Sequence, residues 1–144
     1  MKIKFKKLRE GVETPSRAHE NDAGLDLKAI DYNYDKEYDN HIYHTGIAVE
    51  IPEGYVGLIF PRSSNRNTDS YMTNHVGVIY SGYRGELLVT FKTRDLKLIP
   101  IKPYEIGNKI AQLVIIAYEK VEFEEVDELS KSDRGTNGHG SSGK

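Results

Sequence analysis

Apolar and polar side chains alternate with a period of two through most of this sequence, and that pattern constrains the fold more than any other feature. The alternating segments are short, rich in Val, Ile, Tyr and Phe, and separated by Pro and Gly. They cover residues 1–6, 25–30, 46–51, 55–60, 76–80, 86–92 and 110–123. Short strands at close spacing fold as a sandwich, a barrel or a jelly roll, so the sequence predicts an all-β protein.

Helical periodicity is nearly absent. We expect no helix longer than a turn or two, and residues 63–70 are the best candidate for a short one. A length of 144 residues fits a single domain. Within it we predict a core over residues 1–118 and a polar, glycine-rich arm over residues 119–144. By composition alone, that arm is also typical of a disordered tail.

Charge and cysteine content exclude several function classes. Twenty basic against twenty-two acidic residues leave a net charge of -2, which argues against binding to nucleic acid or an anionic membrane. A small phosphorylated ligand needs only a few basic groups placed locally. The absence of cysteine excludes disulfides, thiolate zinc sites and cysteine nucleophiles. The chain has no apolar run of about eighteen residues and no signal-peptide pattern at its start, so we expect a cytoplasmic protein without a membrane span.

Two segments near strand ends combine charge with small residues. Asp26, after Ala23 and Gly24, is either an exposed acid at a turn or a carboxylate beside a phosphate and its cation. Arg62 follows the alternating segment 55–60 and is followed by two serines, Ser63 and Ser64. A guanidinium beside two hydroxyls can hold an oxyanion, and a short helix capped by one of the serines is the alternative.

Residues 74–86 predict a β-hairpin with Ser81 and Gly82 at its tip. Backbone N–H and C=O groups at the mouth of such a hairpin can read the edge of a base. Asn74 adds an amide that both donates and accepts, and Tyr83 can lie flat against a sugar. The alternative is a plain surface hairpin with aromatic cross-strand pairs.

Two further segments carry polar groups in unusual surroundings. Gln112 lies in an apolar strand, where its amide needs partners; it is either a core amide bonded to neighbouring backbone or a ligand-binding group. Residues 134–143 combine Arg134, two serines and four glycines, which lets backbone approach phosphates closely. This segment is not a Walker A loop, because no GK[ST] follows a strand.

Taken together and in order, these segments resemble the five motifs of the homotrimeric dUTPases. The matching stretches are AGLDL, PRSS, GVIYSGYRGE, GNKIAQL and RGTNGHGSSG, and the resemblance spans nearly the whole chain. It implies a distorted jelly roll that assembles as a threefold homotrimer with exchanged C-terminal arms. It also implies active sites between subunits, each drawing motifs from all three chains.

The resemblance implies hydrolysis of dUTP to dUMP and pyrophosphate by attack of water on the α-phosphorus. Magnesium is expected to be held by the triphosphate and water, with Asp26 reached through those waters and no direct protein ligand. The expected contacts are Arg62, Ser63, Ser64 and Gln112 at the α- and β-phosphates, and Asn74, Gly77, Val78 and Ile79 at uracil. Tyr83 is expected under the deoxyribose, and the tail residues Arg134, Gly138, His139, Gly140, Ser141 and Ser142 are expected to close over the substrate.

The chain departs from the family pattern at three places. Tyr80 stands where the family has the Asp that activates the attacking water, and a phenol, with an ordinary pKa of about 10, is a poor base at neutral pH. His139 replaces the aromatic residue that stacks on uracil, and Asn108-Lys109 replaces an acid-Arg pair. A dUTPase-like binding or regulatory protein with weak hydrolysis is therefore an alternative, and a dCTP deaminase, which shares the fold, is a third.

Overall fold

The computed structural model describes residues 1–94 and 102–138. Nine strands and a 3-10 helix lie within these ranges. The strands are β1 (Lys4–Lys7), β2 (Leu25–Lys28), β3 (Asp31–Asp35), β4 (Asn40–Glu50), β5 (Tyr55–Pro61), β6 (Ser70–Met72), β7 (Gly77–Ile79), β8 (Glu86–Thr93) and β9 (Lys109–Ala117). The helix covers Ser63–Asn67, which confirms the short helix expected in this region.

The strands of the described ranges form two antiparallel sheets. One sheet has the order β1-β4-β8-β6, with β3 also paired to β4, and the other has the order β2-β9-β5-β7. Apart from β3 and β4, which pair with each other, strands of the described ranges that follow one another in sequence lie in different sheets, as is typical of a jelly roll. The all-β prediction is confirmed, and no helix in the described ranges is long and apolar enough to cross a membrane.

An aromatic cluster fills the centre between the sheets. Tyr43 and Phe91 are fully buried, and the ring of Tyr104 packs against both. The Tyr43 hydroxyl donates to the Tyr104 carbonyl at 2.9 Å and accepts from the Tyr104 N–H at 2.8 Å. Burying each large side chain contributes about 1.5–3 kcal/mol, so this cluster and the aliphatic residues around it hold the two sheets together.

Two strands, β3 and β6, were not predicted from the sequence, and the bounds of β4 and β9 differ most from the prediction. β3 was not predicted, because its acidic and amide residues hide the alternation of Tyr32 and Tyr34. β4 begins at Asn40 rather than at residue 46, since its first half contains His41 and Thr45, polar residues that are buried here. β9 ends at Ala117, and residues 118–123, which the strand prediction included, are exposed and hold no strand.

The prediction of a β-hairpin over residues 74–86 is wrong. β7 pairs with β5 and β8 pairs with β4 and β6, so within the described residues the two strands belong to different sheets. The turn at Ser81-Gly82 exists, closed by a hydrogen bond from the Tyr83 N–H to the Tyr80 carbonyl. The same turn residues serve a hairpin or a passage between sheets, and the local sequence does not distinguish the two.

Candidate functional site

Three of the predicted segments meet at one cavity of about 400 Å³. Its wall includes Gly24, Asp26, Arg62, Ser63 and Gln112. The register of the sheet explains the meeting, because Gln112 in β9 lies opposite Asp26 in β2 and opposite Phe60 in β5. Directly opposed residues of antiparallel strands project to the same face. The sheet therefore brings a carboxylate and an amide together, and Arg62 follows at the end of β5.

Asp26 is clamped between two cations. Arg62 Nε donates to Asp26 Oδ1 at 2.9 Å, and Lys109 Nζ lies 2.7 Å from Asp26 Oδ2. Partial burial raises the pKa of this carboxyl, but the close contact with Lys109 and the charge of Arg62 outweigh it, so the pKa lies below its usual value. An ionised carboxylate thus orients the Arg62 guanidinium at the cavity wall. The cluster of two cations and one anion keeps a net positive charge toward an anionic ligand.

Gly24 and Gln112 fit together closely. A Cβ atom at Gly24 would lie 2.5 Å from Gln112 Oε1, a distance that real Cβ atoms do not tolerate. Gln112 Nε2 donates to the Pro61 carbonyl at 3.0 Å. The amide is therefore bonded to backbone and also lines the cavity, so both interpretations of Gln112 hold at once. A side chain at position 24 would push the Gln112 amide from this position, so glycine there keeps the amide in place.

The structure separates the two serines. Ser63 lines the cavity with Arg62, whereas Ser64 accepts a hydrogen bond from Arg62 Nη1 at 3.3 Å and lines a neighbouring cavity with Lys109. The residue that caps the 3-10 helix is Arg62, without a side-chain capping bond, so the expected serine cap is wrong. Arg62 borders both cavities.

The segment predicted to read a base and a sugar lies elsewhere in the same chain. Ile79 pairs with Gly57 in β5, five residues before Arg62. At about 3.3 Å per strand residue, this places Ile79 roughly 16 Å along the sheet from the backbone of Arg62. Val78 is 48% exposed and Tyr80 71% exposed. Asn74, Gly77 and Tyr83, the other predicted contacts here, likewise do not line the cavity that contains Arg62.

The tail is also remote from the cavity. Residues 118–138 are all exposed. Arg134 Nε donates to the Asn137 carbonyl at 3.1 Å within a local turn, and neither Arg134 nor Gly138 lines the cavity. His139, Gly140, Ser141 and Ser142 lie outside the described residues. One chain thus brings together the predicted contacts to the α- and β-phosphates, whereas the base and sugar contacts and the described tail residues do not line their cavity.

Sequence reasoning missed the ion pair of Lys109 at the cavity and the contact between His44 and Glu86. Lys109 was noted only as part of a departure from the family pattern, but it begins β9 and its ammonium forms an ion pair with Asp26. The alternation of β9 offered a signal, since Lys109 lies in the strand that contains Gln112. His44 and Glu86, in contact through His44 Nδ1 and Glu86 Oε2 at 2.9 Å, had no signal in the sequence, because only the pairing of β4 with β8 brings them together.

The sequence profile of the dUTPase family matches residues 10–143. The chain belongs to the dUTPase family. Among curated relatives, the deoxyuridine 5′-triphosphate nucleotidohydrolase of Corynebacterium glutamicum is 42% identical over 99% of this chain and 95% of the relative. The enzyme of the same name from Nocardia farcinica is 40% identical over 98% of this chain and 85% of the relative.

Solved dUTPase structures share the fold. A G→S mutant dUTPase of Staphylococcus bacteriophage 80alpha with bound dUpNHpp superposes with a TM-score of 0.81, at 29% identity over 99% of this chain and 98% of the phage protein. A mutant dUTPase of the S. aureus phage phi11, described with a structural Mg(II) ion, gives a TM-score of 0.72 at 27% identity over 89% and 98% of the two chains. The jelly roll predicted for this dUTPase family member is thereby confirmed.

Proposed function

We propose that this chain binds dUTP and hydrolyses it to dUMP and pyrophosphate, slowly because Tyr80 stands in place of an acidic residue. The observation that carries the proposal is the cavity in which Asp26, Arg62 and Gln112 are held by strand register. A fixed guanidinium, an amide and a hydroxyl form a set of donors for phosphate oxygens. Ser64 supplies a further hydroxyl on the other side of Arg62.

Positioning and charge do most of the work in such a reaction. The triphosphate carries negative charge on each phosphate, and donors that are already oriented need no rearrangement as that charge shifts in the transition state. Asp26 keeps Arg62 oriented, and Lys109 offsets the negative charge that Asp26 introduces. The water that attacks the α-phosphorus, by contrast, needs an acceptor for its proton, which the phenol of Tyr80 supplies poorly.

Magnesium fits this site as an ion that the protein contacts through water. No group of three or more His, Asp or Glu side chains suited to a metal occurs among the described residues. Asp26 lines the cavity beside Arg62, and its carboxylate is the group that would reach a water molecule on the cation there. Bound to the triphosphate, the ion would neutralise phosphate charge. The Mg(II) ion described for the phi11 dUTPase adds support.

The complete site in this proposal combines copies of the chain in a homotrimer. Strand register places Ile79 opposite Gly57, so the backbone of Arg62 in the same chain lies roughly 16 Å farther along the sheet, and none of the uracil and sugar contacts lines the cavity of Arg62. A second copy therefore supplies Asn74, Val78, Ile79 and Tyr83 to the phosphate cavity of the first. The tail of residues 134–143 closes over the ligand, with Arg134 and the two serines at the γ-phosphate and His139 against uracil.

Charge complementarity supports exchange of the arms. The segment 119–128 has six acidic residues and one lysine, and its apolar Val121 and Phe123 are 73% and 99% exposed. β1 is the edge strand of its sheet, and residues 2–7 carry four lysines with Ile3 and Phe5 between them. An acidic alternating segment suits a basic alternating edge as an added strand. The proposal also keeps a cytoplasmic location and no binding of nucleic acid.

Release of pyrophosphate from dUTP tests the proposal, with dCTP, dTTP and UTP as controls. We expect slow release from dUTP and none above background from the others. Rapid deamination of dCTP would instead identify the deaminase. The second candidate, a dUTPase-like binding or regulatory protein that hydrolyses poorly, is favoured by Tyr80 in place of the family's Asp. It predicts tight binding of dUTP with pyrophosphate release close to background.

A further inference from the structure

The side chain of Tyr83 is tethered to the strand that follows it. Its hydroxyl donates to the backbone carbonyl of Glu86 at 2.9 Å. The ring lies over Gly85, where an added Cβ atom would approach the hydroxyl oxygen to 2.4 Å. Any side chain at position 85 would displace the ring. The orientation of Tyr83 therefore depends on a glycine and on the placement of one carbonyl group.

The side chain of Glu86 is itself fixed to β4, the neighbouring strand of the same sheet. Its Oε1 accepts from the Gly46 N–H at 2.7 Å, and its Oε2 lies 2.9 Å from His44 Nδ1. The opposite nitrogen of His44 contacts Asn33 Oδ1 at 2.9 Å. The side chains of Glu86 and His44 are 18% and 22% exposed, so solvent screens these contacts only partly.

A bulge in β4 makes this arrangement possible. The pairing of β4 with β8 shifts register between His44 and Ala48, and Gly46 has a φ of +66°, which non-glycine residues adopt at a cost. The bulge turns the Gly46 N–H toward β8, where the Glu86 carboxylate accepts it. A carboxylate with two such partners holds its own backbone in place, including the carbonyl that binds Tyr83.

We propose that Glu86 is a positioning residue for sugar recognition: anchored by Gly46 and His44, it holds Tyr83 in the orientation that excludes a 2′-hydroxyl. This inference rests on the proposed function, in which Tyr83 lies under the deoxyribose. Glu86 does not touch the nucleotide. Its effect passes through the Tyr83 hydroxyl, so a loosened Tyr83 admits ribose while the phosphate contacts stay intact.

The experiment compares Mg-dUTP with Mg-UTP binding to the full-length protein by calorimetry. Loss of one hydrogen bond changes an equilibrium by about 3- to 10-fold. Glu86→Ala is expected to lower the preference for dUTP over UTP by about that factor, mainly through tighter UTP binding. Gly85→Ala, which displaces the ring directly, is expected to lower it at least as much. Glu86→Gln, which keeps an acceptor for Gly46 and offers a donor to His44, is expected to retain most of the preference.

A double-mutant cycle tests whether Glu86 acts through the hydroxyl. Tyr83→Phe removes the hydrogen bond to the Glu86 carbonyl and keeps the ring. The double variant Tyr83→Phe with Glu86→Ala should therefore lose no more of the preference for dUTP over UTP than the single variants do. Additive effects of the two changes would overturn the inference, as would an unchanged preference in Glu86→Ala. Thr45→Val is the matched control, because it weakens the same bulge while leaving every partner of Glu86 and Tyr83 in place. It removes the 2.7 Å bond from Thr45 Oγ1 to the Leu87 carbonyl and the 3.3 Å bond that Thr45 Oγ1 accepts from the Ile47 N–H.

The control variant is expected to lose stability and keep its preference for dUTP. An equal loss of preference in Thr45→Val would reduce the role of Glu86 to general stability and reject the inference. Failure of the proposed function gives a different result: the unmodified protein then binds neither nucleotide, or binds both equally before any change is made.

Discussion

The phosphate cavity and the segments expected to close it are built in opposite ways. The cavity is formed by three adjacent strands in register, and its side chains are held by ion pairs and hydrogen bonds within one chain. The turn at Tyr80 and the arm of residues 118–138 are exposed, and their apolar side chains face solvent. The first region is organised within one chain, whereas the second, in the proposed trimer, contacts other copies of the chain and the nucleotide.

The largest expected effect is on the turnover of dUTP, and it comes from a change at the exposed turn that contains Tyr80. Tyr80→Asp restores a carboxylate where the family has one, and a positioned general base contributes about 10²–10⁴ in rate, or roughly 3 to 5 kcal/mol of barrier. Because Tyr80 is 71% exposed in the single chain, stability should change little. We expect a large rise in kcat for dUTP with a small change in affinity. Unchanged turnover, measured by pyrophosphate release, would show that another group activates the water.

Removal of the tail tests whether the arm is separable from the cavity. A protein ending at Asp133 should keep its fold and assembly, since residues 134–138 are exposed and lie outside both sheets. Its preference for dUTP over dUMP should fall by about 10- to 100-fold, the effect of losing one or two charge-assisted contacts to the γ-phosphate. Calorimetry with both nucleotides measures the preference. A preference equal to that of the full chain would place γ-phosphate recognition entirely within the cavity.

A buried histidine in β4 provides a pH test of the folded sheets on which the cavity depends. Burial lowers the pKa of His41 from its ordinary 6.5, with Asp39 opposing the shift. The unfolded state then binds more protons, so stability is complete above about pH 6.5 and falls as the pH decreases toward the folded pKa, by up to about 1.4 kcal/mol per pH unit. Thermal unfolding between pH 7 and pH 5.5 measures this loss. His41→Gln should flatten the profile, and the exposed His75→Gln should leave it unchanged.

The smallest expected effect concerns how the arm docks. Reversing charge at Lys4 and Lys6 should weaken binding of the acidic arm by about 0.2–1 kcal/mol for each ion pair lost. The assembly should then dissociate at a higher protein concentration than the unmodified protein does, as measured by light scattering at low salt. Adding Glu122→Lys and Glu124→Lys to the same protein should restore it. If the protein with reversed charges in β1 assembles like the unmodified protein at every salt concentration, the arm docks elsewhere.

The sequence predicted the cavity better than the turn for a physical reason. Asp26, Arg62 and Gln112 lie in or beside strands whose alternation is visible, and strand pairing then brings them together. The passage of residues 80–85 between sheets depends on which strands β7 and β8 choose as partners, and those are distant in sequence. β3 was missed because a strand at the edge of a sheet can be polar on its outer face.

The separation of Ile79 from Arg62 within one chain has a genetic consequence. In a homotrimer that assembles each site from several copies, a defect at Arg62 and a defect at Tyr83 lie in different halves of a site. Mixed assemblies of the two defective chains would therefore contain some sites with both halves intact and recover part of the function that each lacks alone. Conversely, chains altered in one half would spoil sites in assemblies that also contain normal chains, so such alleles should behave as partially dominant.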